Sequence, residues 1–178
     1  MTYSTQLTIV QDPAWYVLPD RRLDVGKLLT AFQEFFREHS EHWVERFDYK
    51  EAGPQLLLQA FLQRIVNSRV VGPSSEWTVG GRVEREYGLG RKRTDLLLLW
   101  PYGDRQVQKV VIEVKVVSGS LERTVAEGVV QTWEYLDRCG AEEGHVVVFN
   151  LDPSKSWEEK IFRRTEEYHG RSLEVWGM

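Results

Sequence analysis

The sequence predicts an α/β domain in which a mixed central sheet lies between helices. Three observations carry this. The apolar period changes from 3.6 to two after Gly72-Pro73. The stretch KVVIEVKVV, residues 109–117, has one parity that is wholly β-branched: Val110, Ile112, Val114 and Val116. A helical stretch, Leu121–Arg138, then separates it from His145–Phe149, an apolar run of the kind buried on both faces of a sheet.

The elements follow in order. Residues 1–23 place Pro13, Pro19 and the charged turn Asp20-Arg21-Arg22 around Trp15, Tyr16 and Leu18, and read as an extended segment pinned by its aromatics. Asp24 is a helix cap. The apolar stripe behind it runs from Leu28, Leu29 and Phe32 through Phe35 and Phe36 to Trp43, Val44 and Phe47, as one helix or a pair broken near Ser40. Residues 50–67 form the next helix, with Gly53-Pro54 at its start and Gln55, Gln59 and Gln63 as a polar stripe. Strands follow over Trp77–Tyr87, Thr94–Trp100 and Lys109–Val117, with a turn at Pro101–Asp104. Gly140 stops the helix that starts at Leu121. Ser156-x-x-Glu159 is a capping box, and the helix it opens is expected to run through Tyr168, where Gly170 ends it. Leu173–Trp176 is the last strand. The order from residue 50 is α-β-β-β-α-β-α-β. Residues 1–49 are an extended segment and helical linker, and 50–178 the α/β domain.

Composition narrows the function. The net charge of −4 means that any nucleic-acid contact uses a local basic patch. A lone cysteine, Cys139, excludes an intramolecular disulfide framework and a multi-cysteine zinc site. No apolar run approaches the roughly 18 residues of a membrane span, and the opening residues lack a basic n-region, so the chain reads as soluble and cytoplasmic. No Walker A motif occurs. His39 and His42 stand among acidic residues, but no HExxH is present and a helix surface is the better reading; His145 and His169 read as structural.

The chemistry concentrates on the strand at 109–117. Its apolar parity leaves Glu113 and Lys115 side by side on the other face, about 7 Å apart along the strand. One reading is an edge strand with a solvated pair; Val111 and Val117 on the same face argue against full solvation, and two charges on a half-buried strand need an offsetting group such as a metal ion or an anionic substrate. Asp95 opens the preceding strand, TDLLLLW, and antiparallel pairing through the turn brings it beside Glu113 or Lys115. Two carboxylates at a strand edge suit a hard divalent cation, and the ammonium can hold a water and stabilise developing negative charge. Arg82, Arg85, Arg91, Lys92 and Arg93 lead into Asp95 and form the main basic patch, suited to phosphate. The competing reading is a solubilising hairpin tip in which Arg82 and Arg85 pair with Glu84 and Glu86.

An Asp opening one strand (GRKRTDLLLLW), E-V-K on the next (VVIEVKVV), and a helix carrying Gln131 (VVQTWEY) together resemble the PD-(D/E)XK nuclease superfamily. The tail SWEEKIF…GRSLEVWGM resembles the nuclease-like domain at the C-terminal end of prokaryotic AAA-type ATPases, and residues 1–50 resemble the helical stretch that joins it to its ATPase. The resemblance implies a restriction-endonuclease-like α-β-β-β-α-β core with an N-terminal helical extension. It implies hydrolysis of phosphodiesters in nucleic acid, DNA before RNA. Mg²⁺ or Mn²⁺ would be held by Asp95, Glu113 and the Val114 carbonyl. Lys115 would orient the attacking water and Gln131 would assist. Arg85, Arg91, Lys92, Arg93 and Tyr135 would contact the nucleic acid. The implied partners are nucleic acid and an ATPase domain, without a membrane; self-association is compatible. One departure stands out. Many members place an acid on the first core helix, where this chain has Gln55, Gln59 and Gln63, with Glu51 only at the entrance. Either Glu51 reaches in, or a glutamine takes the place, or metal binding is weaker. The alternative function is a catalytically inactive module of the same fold that binds nucleic acid or docks a protein.

Overall fold

The structure, a computed structural model, describes residues 15–46, 53–68, 70–71, 78–86 and 95–178. The elements are α1 (Val25–Arg46), α2 (Gly53–Val66), β1 (Val70–Val71), β2 (Thr78–Val79), β3 (Arg82–Glu86), β4 (Asp95–Tyr102), β5 (Gln106–Val116), α3 (Leu121–Cys139), β6 (Glu143–Phe149), α4 (Trp157–Lys160), β7 (Phe162–Tyr168) and β8 (Arg171–Gly177). Strands β1 and β2 form a small separate ladder, and the other six make one mixed sheet in the order β3-β4-β5-β6-β8-β7. Neighbours β3, β4 and β5 are antiparallel; β5, β6 and β8 are parallel; β7 returns antiparallel to β8. The expected α/β class with a mixed sheet between helices is what the chain forms.

The two parities of β5 face two different layers. Val110, Ile112 and Val114 meet α1 and α2 through Leu28, Phe32 and Leu62. Val111 meets α3, beside Val125, Val129 and Leu136. Each fully buried side chain of this kind contributes about 1.5–3 kcal/mol relative to exposure. Helix α1 runs unbroken past Ser40, and Asp24 caps it by accepting a hydrogen bond from the Lys27 N–H at 3.1 Å. Trp43, Val44 and Phe47 lie outside the described side chains. Helix α2 starts at Gly53-Pro54 as expected. Strands β4 and β5 are longer than expected, and Pro101 lies inside β4. It is tolerated because β3 stops at the Arg82–Leu99 pair, which leaves the end of β4 as an edge. Among the described residues no helix is long and apolar enough to cross a membrane.

The helix expected through Tyr168 is a correction. The capping box is real: the Glu159 N–H donates to Ser156 Oγ, and the Ser156 N–H donates to the Glu159 carboxylate at 2.8 Å. It opens a single turn, after which Phe162–Tyr168 is a strand. The open side of β8 offers a ladder partner, and burial in β7 alternates residue by residue as a pleated strand requires. His169 and Gly170, at φ 46° and 75°, are the two-residue turn of a hairpin and not a helix stop. The helical spacing of Trp157, Ile161, Thr165 and Tyr168 is coincidental.

A partly buried polar chain ties the segment before α1 to the sheet. The Leu23 N–H donates to Gln108 Oε1 at 2.7 Å, and Gln108 Nε2 donates to the Leu23 carbonyl at 3.0 Å and to Glu143 Oε2 at 3.2 Å. Glu143 Oε1 lies 2.8 Å from His145 Nε2. The Trp176 indole, which can only donate, reaches His145 Nδ1 at 3.0 Å. His145 Nδ1 is therefore the acceptor and Nε2 carries the proton to Glu143. The structural reading of His145 agrees with this environment. Burial pushes the Glu143 carboxyl up, but the His145 and Gln108 hydrogen bonds and the Arg22 charge outweigh it and hold the group below its ordinary value of 4.5. A depressed carboxyl adds stability that is present above its unfolded value and lost as pH falls through the folded one. Denaturant midpoints measured between about pH 6 and about pH 3 are expected to fall on the acid side. Glu143→Gln should lower the midpoint at neutral pH and flatten that acid slope.

Candidate active site

Glu113 and Lys115 lie on the α3-facing parity of β5, in the half of the strand next to α3's start. The Glu113 side chain is 1% exposed and that of Lys115 19%. Lys115 Nζ stands 2.8 Å from Glu113 Oε1. It also donates a short hydrogen bond to Gln131 Oε1 on α3. The structure thus brings together three of the predicted residues, Glu113, Lys115 and Gln131, from two elements.

The approach of α3 that allows this is set by Gly128. A Cβ there would stand 2.6 Å from Val146 Cγ1 and 3.5 Å from Lys115 Cγ. Glycine mid-helix costs about 0.5–1 kcal/mol relative to alanine, and here it lets the helix backbone rest on β6 one turn before Gln131. Thr132, fully buried, closes its hydroxyl onto the Gly128 carbonyl at 2.8 Å and so adds no unsatisfied group to this contact. Sequence reading passed over Gly128; an isolated glycine in a helix pattern is the signal that points to it.

Asp95 is the first residue of β4 and pairs with Glu86 of β3. Across the other edge of β4, Leu96 faces Ile112. The same register one step on sets position 95 opposite position 113, and directly opposed positions of an antiparallel pair share a face. Positions 86, 95 and 113 therefore form a row of acids across β3, β4 and β5. Sequence reading gave Glu86 only as a partner for arginine, since a hairpin register across residues 87–94 cannot be counted from the chain. The side chains of Glu86 and Asp95 lie outside the described set, and among the described side chains no three of His, Cys, Asp and Glu converge to hold a metal ion.

The remaining predicted residues divide. Val114 is buried on the opposite parity, against α1 and α2; its role is assigned to the carbonyl, not the side chain. Arg85 pairs with Leu96, whose side chain belongs to the α1 and α2 layer. Arg85 is thus across the sheet from Glu113. Tyr135, expected to touch nucleic acid, is 7% exposed and packs in the α3 layer, so its ring offers no open face. Arg91, Lys92, Arg93 and Glu51 lie outside the described residues. Arg82 pairs with Glu84 at 2.8 Å, as the hairpin-tip reading has it.

The Glu113 carboxylate fits a cation. Both its oxygens are buried and neither has a hydrogen bond of good geometry; among the described residues its counter-charge is the Lys115 ammonium. A carboxylate offers about four lone-pair sites, so one ammonium leaves most of them to another positive group. Carboxylates are hard oxygen donors of the type that Mg²⁺ and Mn²⁺ take, and positions 86 and 95 stand in register with 113.

Two outcomes are expected from stability measurements. Gly128→Ala should lose about 1–3 kcal/mol despite its better helix propensity, because the added methyl overpacks Val146. Lys115→Met should lose about 3 kcal/mol by leaving Glu113 charged and buried, and adding Glu113→Gln should return part of it. Urea denaturation checks both. No protein-family model, curated protein or solved structure matches the chain.

Proposed function

We propose that the chain hydrolyses phosphodiester bonds in nucleic acid, DNA before RNA, with Mg²⁺ or Mn²⁺, as the nuclease domain of an AAA-type ATPase of the PD-(D/E)XK superfamily. The observation that carries it is the buried, under-bonded Glu113 paired to Lys115 and opposed in register by Asp95. With the small β1-β2 ladder set aside as an insertion after α2, the run α2-β3-β4-β5-α3-β6, three antiparallel strands and a parallel fourth after a helix, supports the same family reading.

Asp95, Glu113 and the Val114 carbonyl would hold the ion. When bound, it acts as a Lewis acid on a phosphoryl oxygen. The acid that many members carry on the first helix has no counterpart in α2, and Glu86 supplies a carboxylate position in the same row. Lys115 holds the attacking water and offsets the charge that grows on the phosphoryl group. Gln131 accepts from the ammonium and keeps it at Glu113, so its role is to position Lys115. The water oxygen bonds to phosphorus as the ester P–O bond breaks; the water gives up a proton to solvent, and the leaving oxygen takes one from solvent. Arg91, Lys92 and Arg93 supply phosphate contacts beside Asp95 in sequence.

A second reading has its own support. Lys115 already offsets the charge of Glu113, and α2 holds only glutamines where an acid is usual. The chain would then be a non-catalytic module for nucleic-acid binding or protein docking.

Supercoiled plasmid and single-stranded DNA, incubated with the chain and Mg²⁺ or Mn²⁺, should be cut. Lys115→Ala and Glu113→Gln should each slow cutting by about 100-fold or more. Identical traces for wild type and Lys115→Ala in every condition exclude catalysis here. Calorimetric Mn²⁺ binding that is lost in Asp95→Asn and Glu113→Gln favours the nuclease. Its absence in the wild type favours the module.

A further inference from the structure

Among the described residues strand β7 is an edge of the sheet, paired on one side only, with β8. The hairpin that joins them turns through His169 and Gly170 and closes on the pair Tyr168–Arg171. In a two-residue hairpin the closing pair exchanges both backbone hydrogen bonds, and the bonding side alternates along the strand. Tyr168, Glu166, Arg164 and Phe162 therefore turn their backbone groups to β8. Glu167, Thr165 and Arg163 turn theirs outward. Among the described residues no hydrogen bond reaches these outward groups.

The side chains of this edge are arranged symmetrically about its middle. Phe162-Arg163-Arg164-Thr165-Glu166-Glu167-Tyr168 is a charge palindrome centred on Thr165. A second copy of β7, laid antiparallel across a two-fold axis at Thr165, sets Arg163 opposite Glu167, Arg164 opposite Glu166, and Phe162 opposite Tyr168. Cross-strand pairs of these kinds attract. The same axis falls on an outward residue, so the outward N–H and C=O groups of one strand meet those of the other. Moving the axis to Arg164 or Glu166 keeps the outward groups facing each other but sets Arg164 or Glu166 against its own copy and removes the Arg–Glu pairs, so charge selects the axis at Thr165. Edge strands of monomers carry charge that discourages pairing; this one carries charge that suits its own copy.

We infer that β7 is a homodimer interface, joining two six-stranded sheets edge to edge through Phe162–Tyr168. Within one chain Arg163 pairs with Glu174 at 2.8 Å, Arg164 with Glu122 and Glu166, and Glu167 accepts from Ser172. The partner copy adds a further carboxylate to each guanidinium, and the backbone ladder adds the direction. This interface is independent of the nuclease reading.

Sedimentation of the full chain over a concentration series tests it. The wild type should reach twice the monomer mass. Thr165→Pro removes an outward N–H and leaves the β8 ladder intact, so it should sediment as a monomer with an unchanged circular dichroism spectrum. Glu167→Arg sets Arg against Arg163 across the axis and should raise the dimer dissociation constant at least about tenfold. Glu167 is exposed, so this variant decides the matter even if the proline variant fails to fold. A wild type that stays monomeric at its highest soluble concentration overturns the inference. So does a dimer that persists unchanged in Glu167→Arg.

Discussion

The constraint on which the rest depends is the burial of β5 between two layers. Its β-branched parity must face α1 and α2, and this fixes the register of every neighbouring strand. Once that face is committed, Glu113 and Lys115 have one place to go, beneath α3. A strand with one polar and one apolar side could sit at a solvent-facing sheet. Here both sides are covered, so the charged pair is driven into a site where each charge needs the other. The catalytic-looking cluster is thus a by-product of register before it is a device of chemistry.

The same constraint explains why α3 is shaped as it is. The α3 backbone comes down onto the Val146 side chain at Gly128, and Gly144 makes room for Thr132 and Leu136. With no side chain on the helix at the first contact, Gln131 can span the gap to Lys115. The polar cluster therefore reports how well α3 is seated. A shift of the helix away from β6 would part Gln131 from Lys115 before it exposed much apolar surface.

Much of this was legible in the chain, and the failures have physical causes. The wholly apolar parity of 109–117, the cap at Asp24 and the stop at Gly140 are local signals, and each matches the structure. So does the burial of Glu113, which Val111 and Val117 on the same parity imply. The strand at 162–168 carries a helical signal because a genuine capping box precedes it and apolar residues recur at helical steps. What decided otherwise was non-local: an open ladder on β8 and a two-residue turn. The side of the sheet taken by Arg85, and the row formed by positions 86, 95 and 113, depend on a register across an intervening loop. One helical turn separates Tyr135 from Gln131, which suggests a shared role, whereas the layer against the sheet claims its ring.

Strand β8 lies inside the sheet, between β6 and β7, although it comes last among the elements. Trp176, Gly177 and Met178 are all buried, and Asn150 donates its N–H to the Met178 carbonyl at 2.7 Å. During synthesis the first five strands of the sheet can leave the ribosome without the ribbon that must slot between the last of them and its neighbour. The domain therefore closes only after residue 178 has cleared the exit tunnel. Until then β6 shows an open hydrogen-bonding edge, and the nascent chain has reason to need shelter from its own kind.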